Sequence, residues 1–264
     1  MIHYFNLNQG DFMTSCKSMV SAAGFSCLVF FAATMASDAA PSKVYSPHVE
    51  QGELEIEQRG IVNDDGDAAK DGGLKLKTGV GYGITDWWFA EAYVKHEREP
   101  GGSLKFTAVE LESIFQLTQP GAYFVDLGFI VEYATSVRGG RDEVEFGPLI
   151  EKQIGPVVNT ANLIISKETG HDAASYKFEY ALASRWRLKP YFLPGIEAFG
   201  EAGEIRDFGA QRDEEHKIGP AVTGAIPLHM GPGKLRYEAA YLFGVTQATP
   251  DRAVRWLLEY EMRF

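Results

Sequence analysis

Hydroxyl nucleophiles need a neighbouring base and a third group that orients it, so the six histidines are the first residues to weigh for chemistry. His3 lies in the leader, His48 precedes the first strand-like run, and His96 nears the end of another. His171 and His216 fall in or beside long links, and His229 lies in a turn. His171 and Ser175 are close in sequence, but a loop histidine beside a loop serine is ordinary solvated surface, so hydrolysis is disfavoured. The stretch Asn63–Asp67, "NDDGD", has oxygen ligands at calcium-like spacing but lacks the distant bidentate glutamate of an EF-hand loop, and it reads as an acidic turn. No motif calls for a cofactor, and neither a catalytic nor a metal-binding set emerges.

What remains is charge in strict order. The last eleven residues, "VRWLLEYEMRF", place Val254, Trp256, Leu258, Tyr260, Met262 and Phe264 on one face of an extended chain. Arg255, Leu257, Glu259, Glu261 and Arg263 fall on the other. "YFVDLGFIVEY", "YKFEYALASRW", "LRYEAAYLFGV" and "LKLKTGVGYGI" repeat this two-residue period. Weaker runs at 53–61, 87–97, 104–117, 144–154, 157–168, 191–202 and 217–228 fill the gaps, and with the terminal run 251–264 and the four clear ones they make about twelve strands. Pro148, Pro194 and Pro220 fall inside weak runs, where a paired strand tolerates proline badly, so registers there are left open. The clear runs approach the length of about 9 to 11 residues that a tilted strand needs to cross a bilayer.

The links between runs alternate. "NDDGDAAKDGG", "REPGGS", "TSVRGGRDE", "TGHDAA", "GEIRDFGAQRDEE" and "TQATP" are long, whereas "TD", "TQPG", "GP", "RLKP" and "HMGPG" are short. Long links at one end, tight turns at the other and an even number of strands are the pattern of an all-β, antiparallel up-and-down transmembrane barrel of about twelve strands. A soluble β-sandwich shares the alternation but explains neither the strand length nor the unequal links. The ending Leu258, Tyr260, Met262, Phe264 resembles that of Gram-negative outer-membrane β-barrel proteins, including uncharacterised porin-like channels, whose terminal strand alternates apolar residues and stops on phenylalanine. That resemblance implies an assembly signal read by the barrel-assembly machinery, and a place in the outer membrane beside lipid and lipopolysaccharide.

Composition agrees with a β protein: 28 glycines and 12% aromatic residues in 264. Mean hydropathy of -0.16 excludes a bundle of apolar helices. Residues 1–40 read as a secretory signal, with the apolar "AAGFSCLVFFAATMA" after Lys17, and 41–264 as the barrel. "MIHYFNLNQGDF" fits no signal design, which points to Met13 as the start of translation. Cys16 and Cys27 both fall in the leader, so an exported chain would be held without disulfides. Removing 1–40 takes away Lys17, Asp11 and Asp38, leaving 24 of 25 basic and 34 of 36 acidic residues. Such an acidic chain is a poor partner for nucleic acid.

The alternation assigns Lys75, Lys77, Glu110, Glu112, Asp126, Glu132, Lys177, Glu179, Arg185, Glu197, Arg236, Glu238 and Glu259 to the lumen. They must be hydrated or paired, since a buried unpaired charge costs several kcal/mol. Arg236 with Glu238, and Lys177 with Glu179 and Arg185, are the networks expected. Trp88, Trp186 and Trp256 are expected in interfacial girdles near strand ends, which is favoured over sugar stacking. Acids outnumber bases on the inner wall, so the expected function is a passive, cation-leaning channel for small polar solutes. A non-conducting structural or binding barrel, its lumen closed by ion pairs, is the alternative, and a lipid-modifying enzyme is third.

Overall fold

The computed structural model describes residues 43–170, 176–204, 214–228 and 233–263. Twelve strands follow in order. They are β1 (Glu53–Asp64), β2 (Leu74–Gly83), β3 (Trp88–Arg98), β4 (Lys105–Gln116), β5 (Asp126–Ser136) and β6 (Glu143–Ile154). Then come β7 (Val157–Glu168), β8 (Lys177–Trp186), β9 (Leu193–Glu204), β10 (His216–Pro227), β11 (Lys234–Gly244) and β12 (Arg252–Arg263). Each pairs antiparallel with its sequence neighbours, and β1 pairs with β12 from Glu53↔Arg263 to Asp64↔Arg252, so the sheet is a closed up-and-down barrel without an open edge.

The two faces differ as the period-2 pattern dictates. Ile56, Val80, Leu111, Val131, Leu182, Ile196, Tyr241, Val254 and Leu258 stand outward and bare, an apolar belt that only a lipid environment would cover. Glu57, Arg59, Glu110, Glu179, Glu197 and Arg255 are fully buried on the inside. The barrel is thus of the transmembrane type, with charge at its centre and hydrocarbon-like surface outside.

Prolines inside the strands prove compatible with pairing. The β6–β7 ladder runs to Phe146↔Ile165 and resumes at Leu149↔Asn162, skipping Pro148 without changing register. The β10–β11 ladder skips Pro220 in the same way, from Ile218↔Phe243 to Ala221↔Ala240. A proline lacks the N–H that the skipped rung would need. The preceding Gly147 and Gly219 lie so close to the carbonyls of Leu163 and Tyr241 that a Cβ would sit 1.9 Å from each oxygen.

One expectation about the links fails. β5 begins at Asp126, three residues later than the alternation from Tyr123 implies, so the β4–β5 link spans 117–125 and is longer than 99–104 or 137–142 at the other end. The Asp126 carboxylate accepts the Gly121 N–H at 2.7 Å, and the Thr118 hydroxyl accepts that of Leu127 at 2.8 Å, closing a turn over residues that continue the apolar pattern. Tyr123 and Phe124 are left standing outward at 68% and 82% exposure.

Candidate functional site

The segment ahead of β1 lies inside the barrel. Lys43, Val44 and Tyr45 are each buried, and their alternating side chains divide the interior between them. Val44 packs with Ala181, Ala183, Phe199, Ala240, Leu242 and Ala253, all from the β8–β12 half. Tyr45 turns the other way, onto Phe89, Ile114, Ile130, Leu149 and Ile164 of β3–β7. Polar anchors fix the segment's depth. The Asn162 side chain accepts the Tyr45 N–H at 2.7 Å and donates to the Tyr45 carbonyl at 2.9 Å, engaging both main-chain polar groups of that residue. The Tyr45 hydroxyl donates to Glu112 at 2.8 Å and accepts from Arg59 at 3.0 Å. The Lys43 ammonium meets Glu57 at 2.5 Å and Glu259 at 3.8 Å.

Nearer the short-link end, the Val49 N–H donates to Gln116 at 2.8 Å, and His48 stands 3.1 Å from Asp126. Pro47 rests on the backbone of β5 at Gly128, where a Cβ would come within 2.9 Å of the proline's Cα. Only glycine leaves room for that approach.

Around this segment the buried charges form a continuous chain. Lys77 and Lys95 reach Glu110 at 2.8 and 3.1 Å, with Glu132 3.8 Å from Lys77. Arg59 stands between Glu57, Glu110 and Glu112 at 3.2, 4.0 and 3.9 Å. Past Lys43 and Glu259 the chain continues through Arg236, 3.4 Å from Glu259 and 2.8 Å from Glu238. Arg255 then joins Glu238 at 2.7 Å to Glu197 at 3.1 Å, and Arg185 closes on Glu197 at 2.8 Å. Burial makes such pairs costly to break singly, because the surviving partner keeps its charge in a poorly solvated place.

The lumen candidates are therefore distributed unevenly. Lys77, Glu110, Glu112, Glu132, Arg185, Glu197, Arg236, Glu238 and Glu259 belong to this central network. Asp126 sits at the short-link mouth with His48, and Lys75 lies opposite Glu97 towards the other end. The expected group of Lys177, Glu179 and Arg185 is not one network. Lys177 turns to Glu201 at 2.8 Å and Arg185 to Glu197, because neighbouring strands present those acids at the right height, whereas Glu179 is buried with neither oxygen hydrogen-bonded among the described residues. The interior is also less polar than the alternation implied: Ile130, Leu149, Ile164, Leu242 and Leu257 are fully buried within it.

Two groups bring three possible metal-ligating side chains together: His48 with Asp126 and Glu151, and Glu110 with Glu112 and Glu132. In the second, the Lys77 ammonium already lies against two of the three. In the acidic turn at Asn63–Asp67, Asp65 and Asp67 spend carboxylate oxygens on backbone N–H groups, and Asp64 pairs with Arg252 at 3.0 Å. Asp65 accepts the N–H groups of Asp67 at 2.6 Å and Asp251 at 2.8 Å, and these bonds hold its carboxyl below the usual carboxylate range.

Aromatic residues gather at the short-link end. Trp87, Trp88 and Phe115 stack with centroids 6.2 to 6.5 Å apart, and Trp186 at the end of β8 and Phe124, Tyr191 and Phe192 in the links stand exposed. Trp256 departs from the strand-end expectation. It is the fifth residue of β12, its ring covers Gly60, and its indole N–H donates to Gln58 at 3.1 Å, a site that suits a large ring well inside the strand. Leu258, Tyr260 and Met262 alternate with buried Glu259 and Glu261 on β12, and Phe264 lies outside the described residues, as do His171, Ser175 and His229.

No protein-family model matches the sequence, and no curated protein matches it either. Among solved structures the chain is similar to the NanC porin, with a TM-score of 0.53 and 9% identity over 79% of this chain and 100% of that one. It is also similar to an outer-membrane channel from Pseudomonas putida F1, with a TM-score of 0.52 and 14% identity over 85% and 99% of the two chains. At these identities the likeness is one of fold, and the fold is that of Gram-negative outer-membrane barrels.

Proposed function

We propose that the chain is an outer-membrane channel for small polar solutes that rests closed, its lumen occupied by residues 43–49 and by the ion-paired wall. The observation that carries this reading is Tyr45, buried on the barrel axis side of three strands and bonded to Asn162, Glu112 and Arg59 at once. The channel-type fold of the similar structures supports passage as the role, and the filled centre supports a resting state that does not conduct.

Cation preference is the second part of the reading. Glu91 and Glu179 are buried with no hydrogen bond to either carboxylate oxygen among the described residues, and Glu112 and Glu259 each have one such oxygen. Once the segment withdraws and water reaches them, these acids would ionise and leave the inner wall net negative, and a narrow passage focuses their field on counter-ions. The refolded mature chain should be nearly silent in planar bilayers, and a chain lacking residues 43–49 should conduct. Its reversal potential in a salt gradient should show cation selectivity that weakens as the Debye length falls from about 10 Å at 0.1 M to about 3 Å at 1 M. Steady conductance from the full-length barrel refutes the closed state. A folded but silent deletion variant favours the structural, non-conducting barrel, and anion preference removes the charge argument. Assembly through the barrel-assembly machinery, by way of the terminal strand, belongs to the same proposal.

A further inference from the structure

Residues 43–49 are held the way a ligand is held. Their main chain bonds to the side chains of Asn162 and Gln116, so withdrawal breaks no strand ladder. The paired bonds from Asn162 read the main-chain N–H and C=O of one extended residue and take no account of its side chain. Two carboxylates face the Lys43 ammonium: Glu57, which also meets Arg59, is in contact, and Glu259, which Arg236 holds through its other oxygen, turns Oε2 towards it at 3.8 Å. An ammonium brings three donors, so acceptors of this kind suit an amine. One residue further on, the phenol of Tyr45 is met by an acceptor, Glu112, and a donor, Arg59. Gly128 clears space for the chain as it leaves.

Resting on the reading of this segment as the closing element, we infer that the lumen contains a recognition site for an extended, lysine-bearing peptide, occupied in this state by the chain's own residues 43–49. Ammonium, main chain and phenol are recognised at Lys-x-Tyr spacing, and the class of solute taken up when the segment withdraws is short cationic peptides of that pattern. The segment is then an internal competitor, and uptake and closure use the same contacts.

The test uses the barrel lacking residues 43–49 in a planar bilayer and the free heptapeptide Lys-Val-Tyr-Ser-Pro-His-Val. Added on the side of the short links, the peptide should block the current. Acetylating its lysine side chain, or replacing its tyrosine with alanine, should weaken block about 30-fold or more, as expected for removing one partner of a buried, hydrogen-bonded charge. A conducting variant that the peptide leaves open, or that the acetylated peptide blocks equally well, overturns the recognition site. A folded variant without current overturns the closing role instead, so the two failures are distinct. Should the deletion fail to fold, full-length Lys43→Gln serves: brief openings should appear, and the free peptide should shorten them while its acetylated form should not. Openings indifferent to both peptides overturn the inference.

Discussion

Arg255 offers the sharpest test of how the interior is held together. It is fully buried, and its guanidinium joins Glu197 at 3.1 Å to Glu238 at 2.7 Å. Replacing it with Met removes the cation and keeps much of the volume. Each acid retains another partner, Arg185 for Glu197 and Arg236 for Glu238, both at 2.8 Å. The cost should therefore lie near the lower bound for breaking a buried pair, about 3 kcal/mol, which is roughly a 150-fold change in the folding equilibrium. Lys177→Met provides the contrast. Its 2.8 Å pair with Glu201 has both side chains about a fifth exposed, at 22% and 19%, and its loss should cost less than about 1 kcal/mol. Urea unfolding of barrels reconstituted in lipid vesicles, followed by tryptophan fluorescence, measures both. Adding Glu238→Gln alone to Arg255→Met should recover part of the loss, since Glu197 then keeps Arg185, Arg236 keeps Glu259, and no buried charge is left without a counter-charge. Equal costs for Arg255→Met and Lys177→Met would refute the idea that burial makes the central pairs structural.

Two further outcomes are expected. Leu111→Arg, at an outward position 59% exposed in the middle of β4, should destabilise the barrel by about 2 to 4 kcal/mol in the same assay, whereas Leu127→Arg, the second residue of β5, should cost about 0 to 1; similar values would mean that depth in the bilayer is misjudged. Deleting Phe264 should sharply reduce the yield of heat-modifiable barrel in the outer membrane while export continues, and normal yield would remove the assembly role given to the terminal strand.

The twelve strands could be read from the sequence because a barrel wall imposes one rule at every position, and β12 obeys it from Val254 to Met262 with apolar residues outside and Arg255, Leu257, Glu259 and Glu261 inside. Failure begins where a local rule changes without changing composition. Tyr123 and Phe124 extend the apolar alternation, but the bonds that fold them into a turn come from the Asp126 carboxylate and the Thr118 hydroxyl, which the period does not register. Charge partners are misread for a related reason. Lys177 and Glu179 share a face two residues apart, yet which acid an ammonium reaches depends on the neighbouring strand, and Glu201 on β9 is the one it finds. The occupied lumen was the least legible feature. Seven residues carry no period, and Tyr45 meets Asn162 across 117 positions of sequence. The one local sign was a glycine on the charged face of β5, Gly128, whose missing side chain is the space Pro47 occupies.

Tyr45 also has a mechanical consequence. In the closed order of strands, β1 and β7 stand six places apart and so face each other across the full diameter, and Tyr45 is tied to β7 through Asn162 and to β1 through Arg59. An unbraced hoop of strands yields most easily by flattening to an ellipse, because that bends the wall without stretching any ladder. Here flattening along one axis must compress a strut, and along the other must pull it from its sockets. Hydrogen-bonded networks in a tightly packed interior resist both. A bilayer that squeezes this cylinder sideways would meet a spoke across its middle, and the roundness of the wall is set from within.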